Sequence, residues 1–230
     1  SSTSPEDFVY GVIVRVLHAK EVVVGYNYSF GKDGAGSPAL LQELGNKLGF
    51  EVEVVPAVRI EGRPVGSTEI RGLLATGDVN RAASMLGRPF FLRGKVVKGN
   101  ARGRHIGYPT ANLVVDGKMV VPKEGVYAVS LLIEGRRHYG VMNIGRNPTF
   151  GGEGRESSLE VHVIGLSANL YGRDLTVFFH ERLRDEIRFE SVEELKSQIR
   201  EDIRRASRIF RLGEGIPNAD LMPVYKAGDL

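Results

Sequence analysis

Between Gly87 and Ser191 the chain carries no helical period. Apolar and β-branched residues recur instead in short runs: Pro89 to Val97, Val126 to Ile133, His138 to Asn143, Leu159 to Ile164 and Leu175 to His180. Clusters of Gly, Pro and Asn separate them. Runs of that length bounded by turn formers read as strands. With no helices between them to cover a parallel sheet, antiparallel pairing is expected, and closure protects the edges most simply. The prediction is a small antiparallel barrel. A helix then begins at Ser191-Val192-Glu193-Glu194, which has the form of a capping box, and Leu195, Ile199, Ile203, Ala206 and Phe210 give it an apolar stripe expected to pack on the barrel.

Before Gly87 the pattern differs. Val9, Val12, Ile13, Val16 and Leu17 stand at helical spacing, and Glu21 to Gly25 reads as a short buried strand. Ser37-Pro38 starts a helix with a serine cap and proline at the first helical position. Phe50 to Val55 is a further strand, Ser67-Thr68 opens a helix, and Asp78 caps the next. Alternation of strands and helices predicts an α/β layer with parallel strands. The expected class is therefore α+β overall. Residues 1–86 form a partial α/β segment, 87–212 a barrel domain with its C-terminal helix, and 213–230 a tail.

At 42% apolar residues the chain can bury packed cores. It has no cysteine, which excludes disulfides and thiolate metal sites and fits a reducing cytoplasm. No run is long and apolar enough to be a membrane helix. The net charge of +3 suits anionic small molecules and is too weak to argue for nucleic acid.

Chemistry concentrates in Gly99 to Asn112. Glycines 99, 103 and 107 allow sharp turns and close approach to a ligand, consecutive amides can cradle an anion, and Arg102 and Arg104 add positive charge. That half suits phosphate. In the second half Pro109 stiffens the chain and biases Tyr108 towards extended geometry. If the backbone runs extended to Val115, Thr110 and Asn112 share a face and offer neutral oxygens to magnesium. By spacing alone the same residues also read as an ordinary loop with turn hydrogen bonds.

Other motifs fail. Gly25 to Asp33 departs from a phosphate-binding P-loop in its glycine spacing and ends in Asp33 where Ser or Thr belongs. Gly34 to Ala39 matches a loose dinucleotide fingerprint but follows no strand directly. None of the histidines at 18, 105, 138, 162 and 180 forms a metal-binding pair of the His-Glu-x-x-His kind, and most are read as without chemical role.

Four motifs in order carry a resemblance. They are Gly103 to Leu113, Asn143 to Gly151, Leu159-Glu160-Val161-His162 with Leu170-Tyr171-Gly172, and Arg182 to Glu186 with Phe189. Over residues 88–210 the chain resembles the riboflavin kinases. Residues 1–86 resemble the latter half of the FMN adenylyltransferase domain that precedes the kinase in bacterial bifunctional FAD synthetases. Val23 to Gly31 is similar to its flavin-side segment, with Asn27 where Asp is usual. Ser67, Thr68 and Arg71 are similar to its nucleotide motif, with Gly66 in place of a serine. A plain helix cap also accounts for Ser67-Thr68. The family's opening strand and His-x-Gly-His motif have no counterpart in the 230 residues.

The resemblance implies ATP- and magnesium-dependent phosphorylation of riboflavin to FMN, with FAD formation weak or absent. It implies phosphate binding by Gly99, Arg102, Gly103, Arg104 and Pro109, and magnesium on Thr110 and Asn112. Glu160 is the implied general base, and Asn143, Arg184 and Phe189 the implied flavin contacts. Glu160 also reads simply as a residue on the solvated face of a strand. Gly165 to Asn169 departs from the acidic segment common at that place, which bears on local loop shape. Two other functions stand as alternatives: a flavin-binding or regulatory protein without catalysis, and a basic nucleic-acid-binding barrel. The second lacks interleaved aromatics. A partial parallel sheet exposes an edge, so self-association or a covering partner is a further expectation.

Overall fold

The computed structural model describes residues 2–99, 103, 106–146, 157–166 and 168–211. Packing divides the chain into two units, Ser1–Val65 and Gly66–Leu230.

In the first unit a short helix, α1 (Pro5–Phe8), is capped by Ser4, whose hydroxyl accepts the Asp7 N–H at 3.0 Å, and continues as a π-helical stretch over Val9–Val14. β1 (Glu21–Gly25) pairs in parallel with β2 (Glu51–Val55), in register from Glu21↔Glu51 to Gly25↔Val55. Between them lies α2 (Pro38–Leu48), capped by Ser37 and closed by Gly49 in the left-handed region. Val9, Ile13, Val24, Phe30, Leu41 and Phe50 form the core. The parallel pairing matches the sequence reading. Burial of β1 is one-sided, however: Val24 is buried while Val23 is 56% exposed, because successive residues face opposite sides of a two-stranded sheet. A two-residue hairpin pair, β3 (Arg59–Ile60) and β4 (Arg63–Pro64), follows.

The second unit opens with α3 (Ser67–Thr76) and α4 (Val79–Leu86). Asp78 caps α4 by accepting the Arg81 N–H at 3.1 Å. Ser67 is the first helical residue rather than the cap. Gly66 takes the cap position in extended geometry and makes no side-chain bond. By sequence pattern the chain changes character at Gly87. By packing, α3 and α4 group with the strands that follow, since α4 lies against β5 and β10.

Those strands are β5 (Phe90–Val97), β6 (Ala111–Val115), β7 (Gly125–Ile133), β8 (Arg136–Arg146), β9 (Ser157–Val163) and β10 (Asp174–Arg184). They close into an antiparallel barrel in the order β10-β5-β6-β9-β8-β7. The overall class is α+β. β6 is the strand absent from the five runs above; it is the extended stretch after Pro109, and without it the barrel would not close. Leu92, Leu113, Tyr127, Val129, Met142, Val161 and Phe179 are among the buried residues of these strands.

α5 (Val192–Ile209) packs on the barrel. Ser191 accepts the Glu194 N–H at 3.2 Å, and the Glu194 carboxylate reaches back to the Glu190 N–H at 3.2 Å, one residue earlier than a regular capping box. At its other end Phe210 lies against Tyr139 and His180, with ring centroids 4.6 and 5.0 Å apart. No helix among the described residues is long and apolar enough to cross a membrane. Residues 213–230 lie outside the described residues.

Candidate active site

Strand alternation sets the site. In β6, Ala111 and Leu113 are buried while Asn112, like Thr110 just before the strand, is turned to the other side. In β9, Leu159, Val161 and Val163 are buried, and Glu160 and His162 lie on the opposite face. The registers then bring the polar positions level. Asn112 pairs with Glu160, Glu160 with Asn143, Asn143 with Val126, and Val126 with Arg184. Four residues singled out by sequence thus occupy one row around the barrel.

Hydrogen bonds from neighbouring residues orient two members of that row. Thr110 Oγ1 donates to Glu160 Oε2 at 3.1 Å, and Ser158 Oγ donates to Glu160 Oε1 at 3.4 Å. Both carboxylate oxygens are therefore acceptors. Asn143 Nδ2 donates to Glu186 Oε1 at 3.1 Å. Gly99 and Gly103 lie close: a Cβ on Gly99 would collide with the Asn112 carboxamide, and one on Gly103 with the Tyr108 carbonyl, 3.4 Å from Thr110 Oγ1. These two positions approach because they have no side chain. Arg102, Arg104 and residues 147–151 of the second motif lie outside the described residues.

A cavity of about 420 Å³ opens on this face. Its walls include Gly103, Thr110, Asn143, Glu160, Arg184 and Phe189, all anticipated from sequence. They also include Tyr108, Val126, Val141, His162, Glu186, Ile187, Leu195, Ile199 and Asp202. Leu195 and Ile199 carried a sequence signal only for packing; that they wall a cavity follows from where α5 docks. A second cavity of about 440 Å³ is walled by Val96, Pro109, Ala111, Val161, Leu166 and Ala168 to Tyr171, and it too includes Thr110. Thr110 is common to both.

Arg184 is committed within the fold. Its Nε and Nη2 donate to the Asp202 carboxylate at 2.8–3.0 Å, Gln198 adds a bond to Asp202 at 3.0 Å, and the guanidinium stands 5.9 Å from the Phe189 ring centre. Asp202 is only 2% exposed, so this pair joins β10 to α5. Arg182 Nη2 bonds the Asp185 carboxylate at 2.7 Å and the Glu124 carbonyl at 2.6 Å, and this cation holds the Asp185 carboxyl below its ordinary range. Away from the cavity, His180 Nε2 stands 2.9 Å from Ser130 Oγ, and burial pushes its pKa down to about 4. Ser67, Thr68 and Arg71 are exposed on α3 and wall neither cavity.

The donor set fits a hard cation. Thr110 donates its O–H to Glu160 and keeps its oxygen lone pairs, Asn112 brings a carboxamide level with Glu160, and the Glu160 carboxylate adjoins them.

A family model described as riboflavin kinase matches residues 86–210, and one described as FAD synthetase matches residues 1–69. The bifunctional riboflavin kinase/FMN adenylyltransferase of Pseudomonas fluorescens is 42% identical over 205 residues, covering 89% of this chain and 65% of its own length. The protein of the same name from Escherichia coli strain K12 is 37% identical over 213 residues, covering 92% and 67%. A solved structure from Streptococcus pneumoniae, titled a macrolide-efflux protein, superposes with a TM-score of 0.78 at 36% identity, over 89% of this chain and 65% of that one. The chain thus spans about two thirds of the length of the curated relatives it matches.

Proposed function

The chain belongs to the riboflavin kinase family, and on that premise we propose that it transfers the γ-phosphoryl group of ATP to the ribityl 5′-hydroxyl of riboflavin, giving FMN and ADP. The observation that carries this reading is the shared wall: two cavities of small-molecule size meet at Thr110, with Glu160 bonded to it. Transfer between two substrates needs two adjoining sites and a base where they meet.

We assign riboflavin to the cavity under α5. Tyr108, Val126, Val141, Phe189, Leu195 and Ile199 give apolar walls for a flat ring system, and Asn143 with Glu186 gives a polar edge. ATP takes the cavity beside Leu166 and Ala168 to Tyr171, with its phosphates towards Gly99 and Gly103. Thr110 and Asn112 would hold magnesium, which when bound supplies charge neutralisation for the phosphates. Glu160 takes the proton from the 5′-hydroxyl as its oxygen bonds to phosphorus and the bond to ADP breaks. The bonds from Thr110 and Ser158 keep the carboxylate oriented as acceptor. Incubation with riboflavin, ATP and magnesium, followed by chromatography for FMN, tests this reading; absence of FMN would refute it.

Adenylyl transfer asks for charge stabilisation at the α-phosphate. In the resembling domain paired histidines serve that purpose, and no two histidines of these 230 residues have the His-x-Gly-His spacing. Ser67, Thr68 and Arg71 remain as a proposed phosphate hold at the start of α3. These 230 residues are therefore expected to form FMN and little FAD, which product analysis with FMN, ATP and magnesium would decide.

A further inference from the structure

The ladder between β6 and β9 runs through two pairs, Ala111↔Val161 and Asn112↔Glu160. One step further the register sets Thr110 opposite His162. There the ladder stops, and the next residue, Pro109, has no N–H to donate. Thr110 is nevertheless the residue both cavities share, and its hydroxyl must stay within bonding distance of Glu160.

The His162 side chain occupies that gap. Its Nδ1 lies 2.9 Å from the Pro109 carbonyl oxygen. A carbonyl only accepts, so Nδ1 carries the proton and donates. The same imidazole meets the Tyr108 ring edge-on, with centroids 5.7 Å apart. Tyr108 in turn donates its N–H to the Gly103 carbonyl at 2.8 Å. One imidazole on the Glu160 face of β9 thereby holds residues 108–110 and, through Tyr108, the end of the glycine loop.

We propose that His162 is a positioning residue of this site: its Nδ1–H bond to the Pro109 carbonyl holds the backbone just where the β6–β9 ladder ends and so fixes the Thr110 hydroxyl beside Glu160. The catalytic consequence rests on the kinase reading above; the structural claim stands apart from it.

Three substitutions separate the two ring nitrogens. The amide of asparagine reaches the place of Nδ1, and that of glutamine the place of Nε2. His162→Ala and His162→Gln should each slow FMN formation about tenfold, as expected for loss of one orienting hydrogen bond, while His162→Asn stays within about threefold of wild type. In a Thr110→Ala background His162→Ala should add less than about a twofold loss, because both changes remove the same placement. Independently of activity, amide hydrogen exchange at Tyr108 should rise about tenfold in the Ala and Gln variants and not in Asn. The inference is overturned if glutamine outperforms asparagine, if the losses at 162 and 110 multiply, or if Tyr108 exchange is unaltered in His162→Ala. Lack of FMN from the wild-type chain would instead sink the kinase reading, and the exchange data would still decide what His162 holds.

Discussion

The Thr110 hydroxyl donates to Glu160 Oε2 at 3.1 Å across the β6–β9 pair. Two residues fifty positions apart are thereby joined into one group, whose hydroxyl oxygen we propose as a magnesium ligand and whose carboxylate we propose as the proton acceptor. Thr110→Val and Asn112→Leu should each weaken magnesium-dependent ATP binding by roughly tenfold or more, since each removes an oxygen donor from a site with few. Calorimetric titration of ATP with and without magnesium measures this. Unchanged magnesium dependence in both variants would place the metal elsewhere.

The Arg184–Asp202 pair makes a separate prediction. Asp202 is buried, and its carboxylate is satisfied by Arg184 and Gln198. Arg184→Met strands that carboxylate and should cost about 3 kcal/mol in urea unfolding. Because α5 walls the cavity we assign to riboflavin, the variant should also raise the riboflavin KM more than the ATP KM. Equal stability of variant and wild type would show that β10 and α5 are held by apolar packing alone.

His180 sets a pH dependence. Its ordinary pKa of 6.5 falls to about 4 in the fold, chiefly through burial and secondarily through the charge of Arg137. The unfolded chain therefore binds this proton first as pH falls. Stability from keeping His180 neutral is fully present above pH 6.5 and is lost on acidification towards pH 4, by roughly 3 kcal/mol at most. Urea unfolding at pH 7 and pH 5 should show the loss, and His180→Gln should flatten it. A slope unchanged in that variant would assign the effect to other groups.

Much of this was legible in the sequence because strand alternation and capping are local. Ser37, Asp78 and Ser191 cap their helices by bonds to residues three positions on, and the barrel follows from apolar runs with no helix between them. Thr110, Asn112, Asn143 and Glu160 were marked by motif, but only the registers show that three of them share a row. What was not legible depends on tertiary placement. The docking of α5 turns Leu195 and Ile199 into cavity walls, and the Asp202 partner makes Arg184 a brace between elements. The use of His162 appears only once Pro109 is seen to end a ladder.

The rate of FMN formation by Glu160→Gln beside wild type tests the central claim most directly. Glutamine keeps the shape of the side chain and an acceptor for the Thr110 hydroxyl but cannot take a proton. The account predicts that riboflavin and ATP bind with nearly wild-type affinity, while turnover falls by about two to four orders of magnitude, the usual contribution of a general base. Near-normal turnover by Glu160→Gln would contradict it.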